Sequence, residues 1–226
     1  MTTDKTLAGA RDEHVVVPFS ATADDTARLS FDNGLERLEL RADEDLQDLL
    51  DARFAEPYPV VWATGQDVHV EYPLGSRLLR RMKYSTVRVS PAVAWSLDVH
   101  GGAAHLDADL RGLNLRAMSL HSGAAYGRIR LGRPAGGCTI RLSSLKDLRI
   151  ERPADVPVRV EITRGATKVD LDDRRFGAVG NGLADTPPAT RRPRTGTWYW
   201  SPAASTDSPS PPTRNRGAPH HEHHDH

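Results

Sequence analysis

The histidines near the carboxyl end form the densest group of side chains in this chain that could do chemistry. Five of them lie close together: His220, His221, His223, His224 and His226. Imidazole is a ligand for nickel, copper and zinc, so this segment could chelate such a metal. Ordering a flexible segment around an ion costs conformational entropy, which favours weak, adventitious binding over a physiological site. If this tail is the metal site, deleting the residues after Pro219 removes zinc binding, measured as metal bound per mole of protein.

Two further histidines, His100 and His121, are separated by 21 residues and follow the apolar residues Val99 and Leu120. If residues at this spacing are neighbours, the two imidazoles stack on the surface. They could then share a transition metal, or repel each other when protonated at about pH 6. Exposed histidines without a third ligand are usually plain surface residues. Unchanged zinc binding after both are replaced by Ala in the tail-deleted protein would dismiss a metal site.

Nucleophilic catalysis has little support in the sequence. Cys138 is the only cysteine, which excludes an intrachain disulfide, and with no histidine nearby in sequence it is expected to be a packed thiol. The chain lacks GxSxG and HExxH motifs, and the run GAVGNG at residues 177–182 lacks the glycine order of a nucleotide-binding loop. The sequence therefore predicts no catalytic residue and no cofactor.

The charge balance limits the expected partners. The 226 residues include 30 Lys and Arg against 30 Asp and Glu, so neither nucleic acid nor anionic lipid is an expected partner. The chain has no run of about 18 to 20 apolar residues and no apolar core of a secretory signal at its amino terminus. With the single cysteine, these features predict a cytoplasmic protein with no direct membrane insertion.

Short-range patterns predict two hairpins and one short helix in the first third of the chain. Asn33-Gly34 separates two alternating runs, as is typical of a type I′ hairpin. Asp43 could cap a helix over residues 43–54, where Leu and Phe recur at helical spacing before Pro57. The segment VVWATGQDVHVEY at 60–72 predicts the second hairpin.

Residue character returns every 21 positions from about 75 to 173, so that Val99 corresponds to Leu120. A period of this length predicts stacked coils in which residues 21 apart are neighbours on adjacent strands. The third coil carries its apolar residues one place late, which predicts the loss of one residue near 143–144.

Polar residues follow the same spacing, and stacking would place them in columns roughly 4.8 Å apart. Three columns are predicted: His105, Tyr126, Asp147 and Lys168; Asp107, Arg128, Arg149 and Asp170; and Asp109, Arg130, Glu151 and Asp172. Most neighbours in the second and third columns carry opposite charges, which favours stacking. The alternative is that charged residues simply alternate outward on any strand.

Glycines recur where the coils would turn, and a tight turn needs positive φ, so we expect a structural role for them. These glycines are Gly101, Gly102, Gly123 and Gly165. The period ends at Pro187-Pro188, because proline cannot donate to the interior of a sheet. The following Pro- and Ser-rich residues are expected to be disordered, and the aromatic run Trp198–Trp200 could cap the coils or engage a partner.

The segments LDVHGGAAHLDADL, LHSGAAYGRIRL and VEITRGATKVDL share a glycine turn between short strands. This pattern resembles the toast-rack or adhesin-like β-solenoid repeat family over roughly 93–173, and more loosely over the hairpin and helix segments before it. The resemblance implies a non-enzymatic scaffold for binding or assembly, linked with cell-envelope stress or surface assembly. It supplies no catalytic residues to carry over.

The sequence thus predicts one all-β domain, with hairpins and one short helix leading into β-solenoid-like coils. The chain is predicted to consist of a flexible start at 1–13, the folded domain at 14–184 and a low-complexity tail at 185–226. Open coil ends present unpaired backbone groups, which favours a protein partner or self-association. Two alternatives stay open: a carbohydrate-active β-helix enzyme using Asp107 and Asp109, and a metal-binding protein acting through its tail.

Overall fold

The computed structural model describes residues 7–20, 25–72, 83–133, 135–153, 156, 158–172, 174–178, 183–185 and 201–202. Within these residues the regular structure is all strand, so the predicted all-β class is confirmed. The described strands join into one continuous hydrogen-bonded sheet. The predicted tail histidines and Trp198–Trp200 lie outside the described residues.

The strands form two rows, which we name row A and row B. In spatial order, row A contains β1 (Leu7–Ala10), β6 (Val60–Thr64), β7 (Asp67–Glu71), β3 (Thr26–Phe31), β9 (Ala94–Val99), β11 (Asn114–Leu120), the first part of β13 (Cys138–Glu151), β14 (Val158–Ala166), β17 (Leu183–Asp185) and β18 (Ser201–Pro202). Row B contains β2 (His14–Val17), β5 (Leu50–Phe54), β8 (Tyr84–Val89), β4 (Leu35–Ala42), β10 (Ala103–Leu110), β12 (Ala124–Leu131), the second part of β13, β15 (Val169–Leu171) and β16 (Arg174–Phe176).

The central strands of both rows are parallel, and each coil is one passage of the chain through row A and then row B. From β9 onward, the coils pair at the spacing that the sequence predicts, so that Val99 lies beside Leu120. The register between β13 and β14 shifts between Leu142 and Ser144, where a residue was expected to be lost. A fixed register matters because a slip by one residue would turn the buried side chains outward.

One coil lies out of chain order, which the period of 21 did not predict. Strands β3 and β4 pair on one side with β9 and β10, joining Leu29 to Leu97 and Leu38 to Leu106. On their other side they pair with β7 and β8, which come later in the chain. The first coil is therefore enclosed between two later coils.

The hairpin predicted at Asn33-Gly34 is wrong. Strands β3 and β4 lie in different rows and do not pair with each other. Neither residue has the positive φ that a type I′ turn needs. The Asn33 Nδ2 instead donates a hydrogen bond of 2.7 Å to the carbonyl oxygen of Tyr72, and a Cβ on Gly101 would overlap the backbone nitrogen of Gly34. Contacts with neighbouring coils thus make the dipeptide a corner between rows.

The helix predicted over residues 43–54 is also wrong. Asp43 does accept a hydrogen bond from the backbone N–H of Asp45, but this closes only a turn. Strand β5 follows and pairs antiparallel with both β2 and β8. Its apolar residues Leu50, Ala52 and Phe54 are buried and alternate at period two, so the segment fits a strand as well as a helix. The segment forms a strand because β2 and β8 pair with it, one on each edge.

The second predicted hairpin is present, with β6 and β7 antiparallel across Gly65, whose φ is 61°. Strand β1, which lies within the start predicted to be flexible at 1–13, pairs antiparallel with β6. Within the tail predicted to be disordered, Ser201–Pro202 pairs with β17. Antiparallel strands therefore follow the parallel coils at both ends of both rows.

Inward side chains of the two rows form one hydrophobic core. In row A they include the register partners Leu29, Leu97, Met118, Ile140 and Val160, and in row B Leu38, Leu106, Leu148 and Val169. Each is buried. Burying a side chain of this size contributes roughly 1.5–3 kcal/mol, so these columns fix which face of each strand points inward.

The corners from row A to row B are stacked as closely as the strands. Gly102, Gly123 and Gly165 occupy equivalent corners and have φ of 74°, 87° and 100°. The backbone N–H of Ala103 donates a hydrogen bond of 3.1 Å to the carbonyl oxygen of Gly123. A Cβ at Gly123 would overlap the carbonyl oxygen of Ser144 on the next corner. Glycine is thus required here by both φ and space.

Replacing Gly123 with Ala is expected to lower the free energy of unfolding by about 2 kcal/mol or more, because a non-glycine residue at positive φ alone costs roughly 1–3 kcal/mol. Urea unfolding followed by circular dichroism measures this loss. Gly136→Ala is the matched control, because its φ is not positive and an added Cβ there meets nothing within 4 Å. Equal losses in the two variants would contradict the stacked-corner explanation.

Candidate functional site

Outward side chains of row B form columns that run across the coils, because residues in register point to the same side. The aromatic column consists of Tyr84, Arg37, His105, Tyr126 and Asp147. The charged column beside it consists of Glu39, Asp107, Arg128, Arg149 and Asp170. An outer column follows, with Arg41, Asp109, Arg130 and Glu151. The first two columns are separated by one inward residue on each strand.

A groove of 410 Å³ lies between the aromatic and charged columns, and we call it the row B groove. It is lined by Arg37, Glu39, His105, Leu106, Asp107, Tyr126, Gly127, Arg128, Asp147 and Arg149. Strands β4, β10, β12 and β13 each contribute lining residues, so the groove crosses four coils. Its length is therefore set by the number of coils and its width by the two-residue repeat of a strand.

Two stacked rings form the centre of the aromatic column. The centroids of the His105 and Tyr126 rings are 4.9 Å apart and their planes differ by 13°. Tyr126 is 52% exposed, and Tyr84 at the end of the column is 43% exposed. Exposed aromatic rings in a groove with charged walls are typical of a binding surface.

The carboxylates considered for catalysis are held by arginines. Asp107 lies 3.0 Å from the Arg41 Nη2 and 3.1 Å from the Arg130 Nη1. Asp109 accepts two hydrogen bonds from Arg111, at 2.8 and 2.7 Å. Hydrogen bonds from Arg111 are the largest influence on the pKa of Asp109, which lies below its usual value. A carboxylate held in this way is a poor proton donor near neutral pH.

Two like charges meet in the charged column, where Arg128 and Arg149 are direct register partners. Like charges in this position repel each other. Glu151 lies between them: its Oε1 is 3.0 Å from the Arg128 Nη2 and 2.8 Å from the Arg149 Nε. One carboxylate oxygen thus serves two guanidinium groups, and both arginines also line the row B groove.

His100 and His121 stack as their spacing predicts, with ring centroids 4.6 Å apart and planes within 10°. Both are exposed and lie at the corner between rows, outside the groove lining. Asp98 is 3.7 Å from the His121 Nε2. Among the described residues, no group of three His, Cys, Asp or Glu side chains is arranged to hold a metal ion.

Cys138 lies in β13 and is buried. Burial raises the pKa of its thiol to about 11, so the thiol is protonated at neutral pH. The thiolate is the reactive form of cysteine, and this side chain is therefore a poor nucleophile.

The period of 21 did not predict the part of the groove formed by β4, namely Arg37 and Glu39, or the position of Tyr84 at the end of the aromatic column. These residues are not 21 positions from their register partners; Arg37 pairs with His105 across 68 positions. A signal was present, because the same offset aligns Gly34 with Gly102. The corner glycine could therefore have located this coil.

The fold is similar to that of a Clostridium sporogenes protein named "putative cell adhesion protein", whose crystal structure matches with a TM-score of 0.50 and 15% sequence identity. The match covers 67% of this chain and 76% of that protein. No protein-family model and no curated protein matches the chain, so membership of the toast-rack family has no support beyond the sequence pattern. At this identity the likeness shows a shared fold alone.

In the part of the chain that the structure describes, no helix has the length and apolar character needed to cross a membrane.

The pairing of Asp109 with Arg111 predicts a pH-dependent contribution to stability. Because the pKa of Asp109 is lower in the folded protein than in the unfolded chain, the pair stabilises the fold at neutral pH. This stabilisation is lost as the pH falls through the folded-state pKa. Wild type should therefore exceed Asp109→Asn in free energy of unfolding at about pH 7, and the gap should close below about pH 4.

Urea unfolding at a series of pH values measures this gap. Asp147→Asn is the control, because the nearest cation to Asp147, the Lys168 Nζ, is 3.9 Å away, and its gap should be smaller. A gap for Asp109→Asn that stays constant with pH would show that the ion pair is not its source.

Proposed function

We propose that this chain is a non-enzymatic binding scaffold of the adhesin type, a β-solenoid that binds its ligand in the row B groove. The observation that carries the proposal is the stack of half-buried His105 on exposed Tyr126, which lies beside a wall of charged residues. Stacked parallel coils repeat the same outward positions, and solenoid proteins commonly use such extended surfaces for binding.

The likeness to a protein named for cell adhesion supports the same class of function. The fold alone does not carry a function, so the site must carry it. Here the groove supplies what a binding site needs: a concave surface, rings that can pack against a ligand and polar groups that can orient it.

The geometry favours binding over catalysis. A carbohydrate-cleaving enzyme needs a carboxyl group that can donate a proton to the leaving oxygen. Asp107 and Asp109, the candidates for this role, are both held by arginines, and the lowered pKa of Asp109 keeps that group ionised. Asp107 instead lines the groove as part of an ion pair.

The coil ends are a weaker candidate for the binding surface. Antiparallel strands β5 and β6 cover the coils on one side, and β16 and β17 cover them on the other. Part of the backbone of the parallel strands at these ends therefore already has partners, as at Val160–Ile162 of β14. We therefore place the binding surface in the row B groove.

An adhesion assay with matched variants tests the proposed function. Purified protein on beads is offered immobilised neutral polysaccharides, acidic polysaccharides and extracellular matrix proteins. The double variant His105→Ala/Tyr126→Ala should lose at least about tenfold in adhesion to the material that wild type binds, since each exposed ring in a site contributes on the order of 1 kcal/mol or more. The control is His100→Ala/His121→Ala, which removes an equally stacked exposed pair outside the groove.

Two results would reject the proposal: equal losses in both double variants, or no adhesion to any surface by wild type. Release of reducing sugar that disappears in Asp107→Asn/Asp109→Asn would support an enzyme instead. A thermal melt of each variant checks that the fold is retained.

A further inference from the structure

We infer that the row B groove binds an acidic saccharide, with a sugar ring against Tyr126 and its carboxylate on the Arg128–Arg149 pair. This inference rests on the proposed function, because it names the ligand class of the same groove. Three features of the groove carry it: one uncovered aromatic face, an unequal distribution of charge, and acceptors for hydroxyl groups.

The uncovered aromatic face belongs to Tyr126. One face of its ring packs on His105, so the other face is directed toward the next coil. There the register partner is Asp147, whose side chain is much shorter than a tyrosine ring. The outer part of the ring therefore stays uncovered, consistent with its 52% exposure. The apolar C–H face of a pyranose ring can pack on such a surface, while its hydroxyls remain at the edge.

The lining carboxylates and the lining arginines differ in how many ion-pair partners they have. Glu39 is 3.6 Å from Arg37, Asp107 is 3.0 Å from Arg41, and Asp147 is 3.9 Å from Lys168. Each lining carboxylate thus has a cation partner of its own.

The two lining arginines of the charged column are different, because Arg128 and Arg149 share the single carboxylate of Glu151. Their side chains are 47% and 57% exposed. Each guanidinium has five N–H donors, so donors remain for a ligand. A ligand carboxylate would balance the excess positive charge and can accept paired hydrogen bonds from arginine.

The positions of these groups fit one ligand. Tyr126 and Asp147 line one wall of the groove, and Arg128 and Arg149 line the facing wall on the same two coils. A sugar on the free face of Tyr126 would place hydroxyls near Asp147 and a ring carboxylate toward the arginines. Carboxylate oxygens accept hydrogen bonds from hydroxyls, so Asp147 would orient the sugar ring.

Other ligand classes fit less well. Three of the four coils that line the groove carry a carboxylate, so a polyanionic nucleic-acid backbone running across the coils would meet repulsion at Glu39, Asp107 and Asp147. A neutral glycan would leave the excess charge of the arginine pair unbalanced. The carboxylates of an acidic peptide could pair with the two arginines, but such a peptide does not require the uncovered face of Tyr126. Binding of an acidic peptide is therefore the competing outcome in the test.

Titration calorimetry with defined probes tests the inference. The acidic probes are trigalacturonate and sialyllactose, and their uncharged counterparts are trigalacturonate methyl ester and lactose. Wild type should bind at least one acidic probe roughly tenfold more tightly than its counterpart, since a charge-assisted hydrogen bond is worth about 1.5–3 kcal/mol. The double variant Arg128→Gln/Arg149→Gln should lose this preference, and Tyr126→Ser should weaken both members of the pair.

Row A offers a matched control. Arg141 and Arg159 also share one glutamate, Glu161, at 3.0 Å from its Oε2 and 2.7 Å from its Oε1, but lie away from the groove. The variant Arg141→Gln/Arg159→Gln removes the same charge from a similarly exposed site and should leave saccharide binding unchanged within about twofold. Thermal melts of both double variants check that neither loses the fold.

Each remaining outcome decides against the inference. Equal affinity for acidic and uncharged probes would show that the carboxylate is not recognised, and equal losses in the two arginine variants would show non-specific attraction. Binding of hexaglutamate but of neither saccharide would identify an acidic peptide as the ligand.

Failure of the inference is distinguishable from failure of the proposed function. If adhesion still depends on His105 and Tyr126 while no acidic saccharide binds, the ligand class is wrong and the binding scaffold stands. If those variants leave adhesion unchanged, the scaffold proposal itself fails.

Discussion

The fixed parallel register between successive coils is the constraint on which the rest of this molecule depends. It places Val99 beside Leu120 on the core side of row A and Asp107 beside Arg128 on the outer side of row B. Because side chains alternate along each strand, the register that buries the core also builds the outer columns. The groove is therefore a consequence of the core, and it cannot shift along the strands without exposing apolar residues.

The corners keep this register, since a strand can continue in line with its neighbour only if the preceding turn has the same length and shape. Glycines with positive φ meet this need at Gly102 and Gly123. At the end of the last coil a different solution occurs, because Asp172 has a φ of 52° and is not glycine. Its carboxylate binds the Arg152 Nε at 3.0 Å and the Arg152 backbone N–H at 3.2 Å. The Arg152 side chain is almost fully buried, so these bonds hold the turn between β15 and β16.

Local sequence signals predicted the parts of the fold that depend on spacing. The period of 21 identified Val99 and Leu120 as neighbours because an in-register parallel pairing preserves residue spacing. The segment around Leu50 was misassigned because its apolar residues fit both a helical and an alternating pattern, and only its pairing with β2 and β8 decides. Asn33-Gly34 was misassigned for a similar reason. A dipeptide that favours a hairpin in isolation forms a corner when each flanking strand has other partners.

The candidate site, like the fold, was predicted only where it depends on residue spacing. The sequence predicted that Tyr126 follows His105 in one column, and it predicted that Arg128 stands beside Arg149. It did not predict that Glu151, which lies in the next column, serves both arginines. Diagonal contacts of this kind depend on rotamers, which a period cannot specify.

The two shared-glutamate sites show why a cluster of charges alone does not define a binding site. In row A, the column beside Arg141 contains Ala117, Thr139 and Arg159, none of which has an aromatic ring to present. In row B, the paired arginines face Tyr126 across the groove. A glutamate shared by two arginines is thus a plain surface feature in one row and part of a groove in the other. What distinguishes them is the neighbouring column, and that neighbour is set by the register of the coils.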